Sequence, residues 1–546
     1  MTRITFVATR KNADRSEREL YEMDLVLRVA GLKRAFLDLG LVTVAATTPK
    51  GVDVQFVDEY LEDIDYDAPS DLVAMSAKTS CVPHAYAVAD RFRAKGKRVL
   101  MGGIHATLRP DEALQHVDAV VTGEADALWP HVVRDLVDGK LKSRYDAEGF
   151  PPMDAIPDPG WTFTNPGRYL FHQLQTTRGC PFQCRFCSVP DISGQSFRFK
   201  PVPNVVRELR ALPKTKNPLM KVRPLYVVDD NFISRLSYTR ELLIALKPLF
   251  AAGEIPPWSA ETTLNVARDE ELLDLFRDAG CRTLIVGFES VSEATLAHMD
   301  KGVNFALTYD DGVARIHARG ITVVGNFIVG FDTDTLDVFR NTLDFVQRTG
   351  ILYPFFSILT PMPGTKLHEE VKAEGRLDHF RWEHYDTRHV VFEPRNMRRD
   401  ELMDGYIWLY EQSYSGSHML ERLERCWKGR VGRTSGLAER SFLRARLAPE
   451  AWRGDATLRR MYRDAFALAG ARGLNPDIGQ LLVMLDSDHF ARFMGTARSA
   501  RWNDNVRTFE TWRPDVPDAR HVLQWDTERA KRNSGRAKRA TPVLSL

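Results

Sequence analysis

The sequence predicts an α/β protein built from more than one domain. Three observations predict it. Short β-like apolar runs alternate with amphipathic helical stretches along most of the chain. A Pro/Gly/Asp-rich connector interrupts the alternation at about 146–168, and the period lengthens after it. With 546 residues, 44% of them hydrophobic, the chain exceeds what one core requires.

In chain order, Ile4–Ala8, Val54–Val57, Leu72–Ser76, Arg98–Met101 and Ala119–Val121 have strand character. Helical periodicity covers about 18–38, Ala85–Ala94 and a stretch from near Ala127. This alternation predicts a parallel, doubly wound (flavodoxin-like or Rossmann) domain over 1–145. Ligands of such sheets sit outside the carboxyl ends of the strands. Those ends carry Ser76 and Thr79, then Gly102, Gly103 and His105, then Thr122, Gly123 and Glu124.

After the 146–168 linker come candidate strands Leu170–Thr176, Leu225–Val228, Trp258–Glu261, Thr283–Phe288, Thr322–Val329 and Phe355–Thr360. Helices such as Arg240–Phe250 and Glu270–Ala279 lie between them. Six βα units over 169–395 predict a partial (β/α)6 barrel of the TIM type, with chemistry at the strand C-termini. Residues 396–525 read as a mainly helical C-terminal region, in which Trp408, Tyr410, Tyr414, Trp427 and Trp452 suit a core more than a substrate cap. The last stretch, 526–546, is basic and low in apolar content, and reads as a solvated tail rather than a nucleic-acid arm.

Composition excludes several classes. A net charge of +2 and 27% charged residues fit neither a disordered chain nor a nucleic-acid-coating protein. No apolar run reaches membrane-spanning length, and the N-terminus is too short and β-like for a signal peptide. A soluble cytoplasmic protein is expected. Six cysteines in a chain this long exclude a disulfide scaffold. Cys81 and Cys281 read as core residues, and Cys426 reads as a weak ligand candidate.

The remaining three cysteines lie in one loop, Thr176-Thr177-Arg178-Gly179-Cys180-Pro181-Phe182-Gln183-Cys184-Arg185-Phe186-Cys187. Thiolates suit iron–sulfur clusters and zinc. Three of them can hold one face of a cubane and leave a fourth iron open to a ligand. A structural zinc wants four closed ligands, and the fourth would have to be a remote residue such as His172. Arg178, Gln183 and Arg185 in the loop argue against purely structural cysteines.

Cys-x-x-x-Cys-x-x-Cys after the first barrel strand, with an aromatic before the last cysteine, resembles the radical S-adenosylmethionine superfamily. The resemblance spans about 170–365. It implies a [4Fe-4S] cluster on Cys180, Cys184 and Cys187. It also implies S-adenosylmethionine at the open iron, cleaved on one-electron reduction to a 5′-deoxyadenosyl radical. Phe186, Asp229, Asp230, Glu261, Thr263, Glu289, Ser290 and Gly330, with Gly325, are then the expected cofactor contacts. A strand-end carboxylate suits an ammonium, and a glycine lets adenine approach the backbone.

The doubly wound domain ahead of the barrel is similar to that of cobalamin-binding members of this superfamily. The matching pieces are Phe56-Val57-Asp58-Glu59, Gly102-Gly103-Ile104-His105-Ala106-Thr107 and Val121-Thr122-Gly123-Glu124. The resemblance implies cobalamin held by Ser76, Thr79, Gly102, Gly103, His105, Thr122, Gly123 and Glu124. The Asp-x-His-x-x-Gly motif that ligates cobalt elsewhere is absent from the first 150 residues. His105 has two readings, lining the corrin or holding its own loop.

The activity so implied is methyl transfer to an unactivated carbon of a small molecule, with a flavodoxin or ferredoxin as electron donor. The alternatives are a radical cyclase or rearranging enzyme on a polycyclic substrate, and a non-catalytic iron–sulfur regulator. Methylthio transfer to transfer RNA would need a second cysteine cluster, which Cys81 alone does not supply. No residue is assigned a catalytic role from sequence, and neither nucleic-acid binding nor a transmembrane segment is expected.

Overall fold

The computed structural model describes residues 1–13, 27, 32–159, 164–212, 223–299, 308–378, 380–414, 418, 421, 422, 425 and 426. The chain divides into two compact units, Met1–Ser487 and Asp488–Leu546, and the described residues all lie in the first. The expected tail at 526–546 and most of the C-terminal region, including Trp427 and Trp452, lie outside the described residues.

The N-terminal sheet holds β1 (Arg3–Ala8), β2 (Asp53–Asp58), β3 (Leu72–Ser76), β4 (Val99–Gly102), β5 (Ala119–Thr122) and β6 (Arg144–Asp146). They run parallel in the order β2-β1-β3-β4-β5-β6. The order reverses between β1 and β3, the switch point of a doubly wound sheet. Alternate residues feed two cores. Val7, Val73, Met75, Val99, Met101 and Val120 pack on one face. Ile4, Phe6, Leu72, Ala74, Leu100 and Val121 pack on the other. The sixth strand escapes the sequence reading because Arg144-Tyr145-Asp146 is a polar edge with only Tyr145 buried.

The helix expected over 18–38 does not continue through its described end. Arg34 pairs with Tyr169 in parallel, and the Leu170 and Phe171 amides donate to the Arg34 and Ala35 carbonyls at 3.1 and 3.0 Å. Helix Leu39–Ala46 starts only where the Asp38 carboxylate accepts the Leu41 amide at 3.0 Å. Pairing across the fold overrides local periodicity here.

The second sheet holds β7 (His172–Leu174), β10 (Leu225–Val227), β11 (Trp258–Thr262), β12 (Cys281–Glu289), β13 (Thr322–Val329) and β14 (Tyr353–Ile358). Each strand pairs in parallel with its successor, as in an open six-stranded barrel. The antiparallel pair β8 (Thr177–Arg178) and β9 (Arg198–Phe199) stands apart as a short ribbon. The outer face of the barrel sheet, with Val227, Trp258, Ala260, Val286, Phe288, Phe327 and Phe356, is fully buried. The inner face is half open at Tyr226, Ser259, Glu261, Ile285, Gly287, Asn326, Ile328, Phe355 and Ser357. These residues line up in register: Tyr226 beside Ser259, Glu261 beside Ile285, Gly287 beside Asn326, and Asn326 beside Phe355.

Helix Arg399–Ser413 covers the β14 edge. The Tyr410 hydroxyl accepts the Phe356 amide and donates to the Phe356 carbonyl, both at 3.0 Å, and the Tyr414 hydroxyl donates to the Pro354 carbonyl at 2.8 Å. These two aromatics therefore satisfy an exposed strand edge rather than cap a ligand. The segment before that helix crosses back: Trp382, Tyr385 and Val391 belong to the N-terminal core with Val73, Phe92 and Met101.

Candidate functional site

Cys180, Cys184 and Cys187 follow β8 in the loop that β9 closes, and all three are half-buried. Gly179 makes the turn into the loop. Its φ is +87°, and an added Cβ would run into the Ser196 and Ser193 carbonyl oxygens. The Cys180 amide donates to the Gly194 carbonyl at 3.1 Å, and the Cys187 amide to the Cys184 carbonyl at 3.0 Å. Burial pushes the Cys187 thiol up to about 12, and the neighbouring Cys184 and Cys180 add to the rise. Crowded thiols that resist ionisation suit a metal centre, whose positive charge releases their protons. Among the described residues, no three His, Cys, Asp or Glu side chains close round a single ion. A cubane offers each thiolate its own iron and needs wider spacing. His172, the fourth ligand a zinc site would need, sits at the far end of β7. Burial and Arg223 lower its imidazole to about 4.

Carboxylates gather at the next strand ends. Alternation separates Asp229 from Asp230. Asp229 turns inward and is fully buried, accepting the Thr176 amide (2.6 Å), the Thr177 amide (3.0 Å) and the Thr176 hydroxyl. It is bound to the backbone that leads into the cysteine loop. Asp230 shares the inner face with Tyr226. Desolvation, Asp229 and Glu261 push its carboxyl up to about 7, against a hydrogen bond from the Gly179 amide. On β11, burial raises Glu261. Its partner Tyr226 donates a hydroxyl hydrogen bond that opposes the rise, and Glu289 and Asp229 add to it. Glu289 ends β12 at φ +59°, where the register shifts between Gly287 and Glu289. Strain of this kind persists where a site fixes it. A pocket wall of mutually repelling carboxylates is made for a cation.

The other expected contacts fall differently. Thr263 opens the turn Leu264–Arg268, beside Glu261. Ser290 is buried and its hydroxyl accepts the Ser292 amide at 3.1 Å. Phe186 packs edge-on to Phe331 with centroids 6.2 Å apart, in a cluster with Met299 and Leu367. Gly330 does not open space for adenine. At φ +102°, an added Cβ would lie 2.7 Å from Leu402. Gly325 is likewise closed in by Phe327 and Ile351. Sequence reading missed Asn326. The Oδ1 atoms of Asn231 and Asn326 are buried without a protein partner, and the alternation of β13 was the available signal for Asn326. Orphaned acceptors beside a carboxylate wall fit the amino, ribose and adenine donors of S-adenosylmethionine.

At the N-terminal strand ends, Ser76, Gly102 and Thr122 stand side by side on β3, β4 and β5. Gly103 starts helix Gly103–Leu108, and Ile104 beside it is 40% exposed. Thr9 Oγ1 and Arg10 Nε and Nη1, after β1, are buried without a partner. An exposed apolar side chain and unused donors at the ends of strands in one sheet fit a large amide-fringed ring such as cobalamin. His105 faces the other way. It is fully buried, within 3.3 Å of Thr79 Oγ1 and 3.4 Å of Glu112, with Trp382 edge-on at 5.2 Å. These contacts of His105, and the bond it shares with Thr79, are all with the protein. Thr122 donates to Asp146 at 2.6 Å, and the Gly123 amide donates to Thr107 at 3.0 Å. Glu124 is held by Arg178 and Arg198.

Both sets of strand ends meet at one seam. Leu108 fills the space above Gly364 in the loop after β14, and Met362 packs on the N-terminal core.

Residues 174–346 match the Radical SAM superfamily model, 26–133 match a B12 binding domain, and 365–466 match a domain of unknown function. The chain is 36% identical over 395 residues to bacteriochlorophyllide d C-12(1)-methyltransferase of Chlorobaculum tepidum, covering 71% of this chain and 85% of that protein. It is 30% identical over 406 residues to the C-8(2)-methyltransferase of the same organism, covering 71% and 88%. The cobalamin-dependent S-adenosylmethionine radical enzyme OxsB, solved with aqua-cobalamin and S-adenosylmethionine, shares the fold. Its TM-score is 0.59 at 14% identity, over 97% of this chain and 83% of that one.

Proposed function

Because this chain belongs to the cobalamin-dependent radical S-adenosylmethionine C-methyltransferases, we propose that its substrate is a bulky, planar, apolar ring system of the tetrapyrrole class. The carbon methylated is an unactivated one on a side chain of that ring. The observation that carries this reading is the half-open barrel interior, where Ile285, Ile328 and Phe355 present apolar surface among the carboxylates Glu261 and Glu289. The bacteriochlorophyllide methyltransferases among its relatives support it.

When bound, the cluster and S-adenosylmethionine supply a hydrogen-abstracting radical and cobalamin carries the methyl group. The chain's own residues do the rest. Cys180, Cys184 and Cys187 hold the cluster. Asp230, Glu261 and Glu289, with Asn231 and Asn326, receive the polar groups of S-adenosylmethionine. Ser76, Gly102, Gly103 and Ile104, with Thr9 and Arg10, face cobalamin. The barrel walls keep water from the radical. Each turnover turns one C–H into C–CH3, consuming one S-adenosylmethionine for the radical and another for the methyl. The electrons come from a donor of the flavodoxin or ferredoxin type. No helix among the described residues is long and apolar enough to cross a membrane, and we place the enzyme in the cytoplasm.

The test is anaerobic reconstitution with iron, sulfide and hydroxocobalamin, then incubation with bacteriochlorophyllide d under reduction. Mass spectrometry should show one added methyl and release of 5′-deoxyadenosine. The Cys180→Ala, Cys184→Ala, Cys187→Ala triple variant should give neither. Deoxyadenosine without substrate methylation would reject the substrate class, and deoxyadenosine from the triple variant would reject the cluster assignment.

A further inference from the structure

We propose that Glu124 and Asp126 are positioning residues for the cysteine loop, braced to it through Arg178 and Arg198; the inference rests on reading that loop as the cluster site. The β8–β9 ribbon forms the two arms of the loop, pairing Thr177 with Phe199 and Arg178 with Arg198. All three cysteines lie between those arms. A ribbon of two residues per strand is not stable alone. Two arginines directly opposite each other should drive it apart.

Glu124 and Asp126, in the loop after β5, remove that repulsion. Glu124 accepts from Arg198 with both oxygens, at 2.9 Å from Nη1 and closer from Nη2, and from Arg178 Nη1 at 3.0 Å. Asp126 accepts from Arg178 Nη1 at 2.7 Å and Nη2 at 3.3 Å. Side-chain exposure is 11% for Arg178, 14% for Arg198, 8% for Glu124 and 7% for Asp126. Arg178 also donates to Gln175 at 2.8 Å, and Arg198 to the Ser193 and Pro151 carbonyls at 3.0 and 2.6 Å. The result is a buried, charge-balanced set of two cations and two anions at the base of the loop.

Both oxygens of Glu124 are therefore taken by the cluster side of the molecule. The same loop begins at Thr122 on β5, in the row of strand ends with Ser76 and Gly102. The brace thus sets the cysteine loop at a fixed place against the face proposed for cobalamin. Removing one carboxylate leaves a buried guanidinium uncompensated and loosens the ribbon.

The experiment uses full-length protein reconstituted with iron and sulfide. Iron release to a chelator is followed anaerobically, and hydroxocobalamin is titrated by absorption. Glu124→Gln should release iron about tenfold faster. Asp126→Asn should release it less fast than that, since Glu124 still bridges both arginines. Arg198→Lys keeps the charge but loses the planar fork, and should fall between wild type and Glu124→Gln. Affinity for hydroxocobalamin should stay at the wild-type value in Asp126→Asn and Arg198→Lys. The EPR change of the reduced cluster on adding S-adenosylmethionine should be altered in the same order as iron release. Iron release at the wild-type rate in all three variants overturns the proposal. So does a drop in hydroxocobalamin affinity with iron release unchanged, which would make Glu124 a cobalamin contact. A wild-type protein that takes up no iron would instead reject the cluster reading itself.

Discussion

The two parallel sheets of this chain solve the same packing problem in opposite ways. In the N-terminal sheet the central strands are buried on both faces, as in Leu72-Val73-Ala74-Met75 and Ala119-Val120-Val121-Thr122. In the barrel sheet, burial alternates along Trp258-Ser259-Ala260-Glu261-Thr262 and along β12. A parallel strand covered on both sides is normally a continuous apolar run, so alternation in such a strand marks a face left unfilled. The N-terminal sheet is a platform with ligand positions only at its strand ends, whereas the barrel is a container. Their carboxylates follow the same division. On the platform, burial would raise Glu59, but hydrogen bonds from His84 and the Arg10 amide hold it down at about 2. In the container, burial and like charges raise Asp230 and Glu261.

Neighbouring aspartates offer the sharpest break of this comparison. Asp229→Ala should lose about 2–3 kcal/mol of stability, because a buried acceptor of two backbone amides and a hydroxyl is removed. Asp230→Asn should melt as wild type does yet bind S-adenosylmethionine about tenfold more weakly. Calorimetric melting and titration separate the two. Equal destabilisation by both would refute the assignment of faces.

Acid titration probes the platform. Glu59 is depressed when folded, so its contribution is complete above the unfolded value of about 4.3 and is lost as pH falls towards 2. Up to about 3 kcal/mol is at stake. Over that window the melting temperature of Glu59→Gln should fall less steeply than that of wild type; parallel curves would remove Glu59 from the account.

A packing pair gives the smallest effects. Ala74→Leu, in a filled core, should cost about 1–3 kcal/mol. Ser259→Leu, on the open inner face, should change stability by less than about 0.5 kcal/mol while obstructing ligand entry. Equivalent melting losses would show that the barrel interior is filled after all.

Much of the fold was legible because periodicity and burial agree. Leu72–Ser76 and Thr322–Val329 fall where the pattern puts them. Elements that depend on partners far away in sequence were not legible. Arg34 and Ala35 leave the helical pattern because Tyr169–Phe171 offers them backbone partners. The ribbon β8–β9 exists because Glu124 neutralises its arginines. Trp382 and Tyr385, far along the chain, complete the N-terminal core.

The sequence by itself determined the chemistry. Three cysteines at that spacing, ahead of strand ends rich in carboxylate, define the class of reaction, since ligand softness and charge are properties of side chains. Only the tertiary structure decided which side chains are available for it. Asp229 and Asp230 are adjacent and chemically identical, yet one binds backbone and the other faces the container. Glu124 pairs with Arg178 and Arg198, and His105 lies against Thr79, residues far from them in sequence. Availability depends on which hydrogen bonds are already made, and those bonds join residues that only folding brings together.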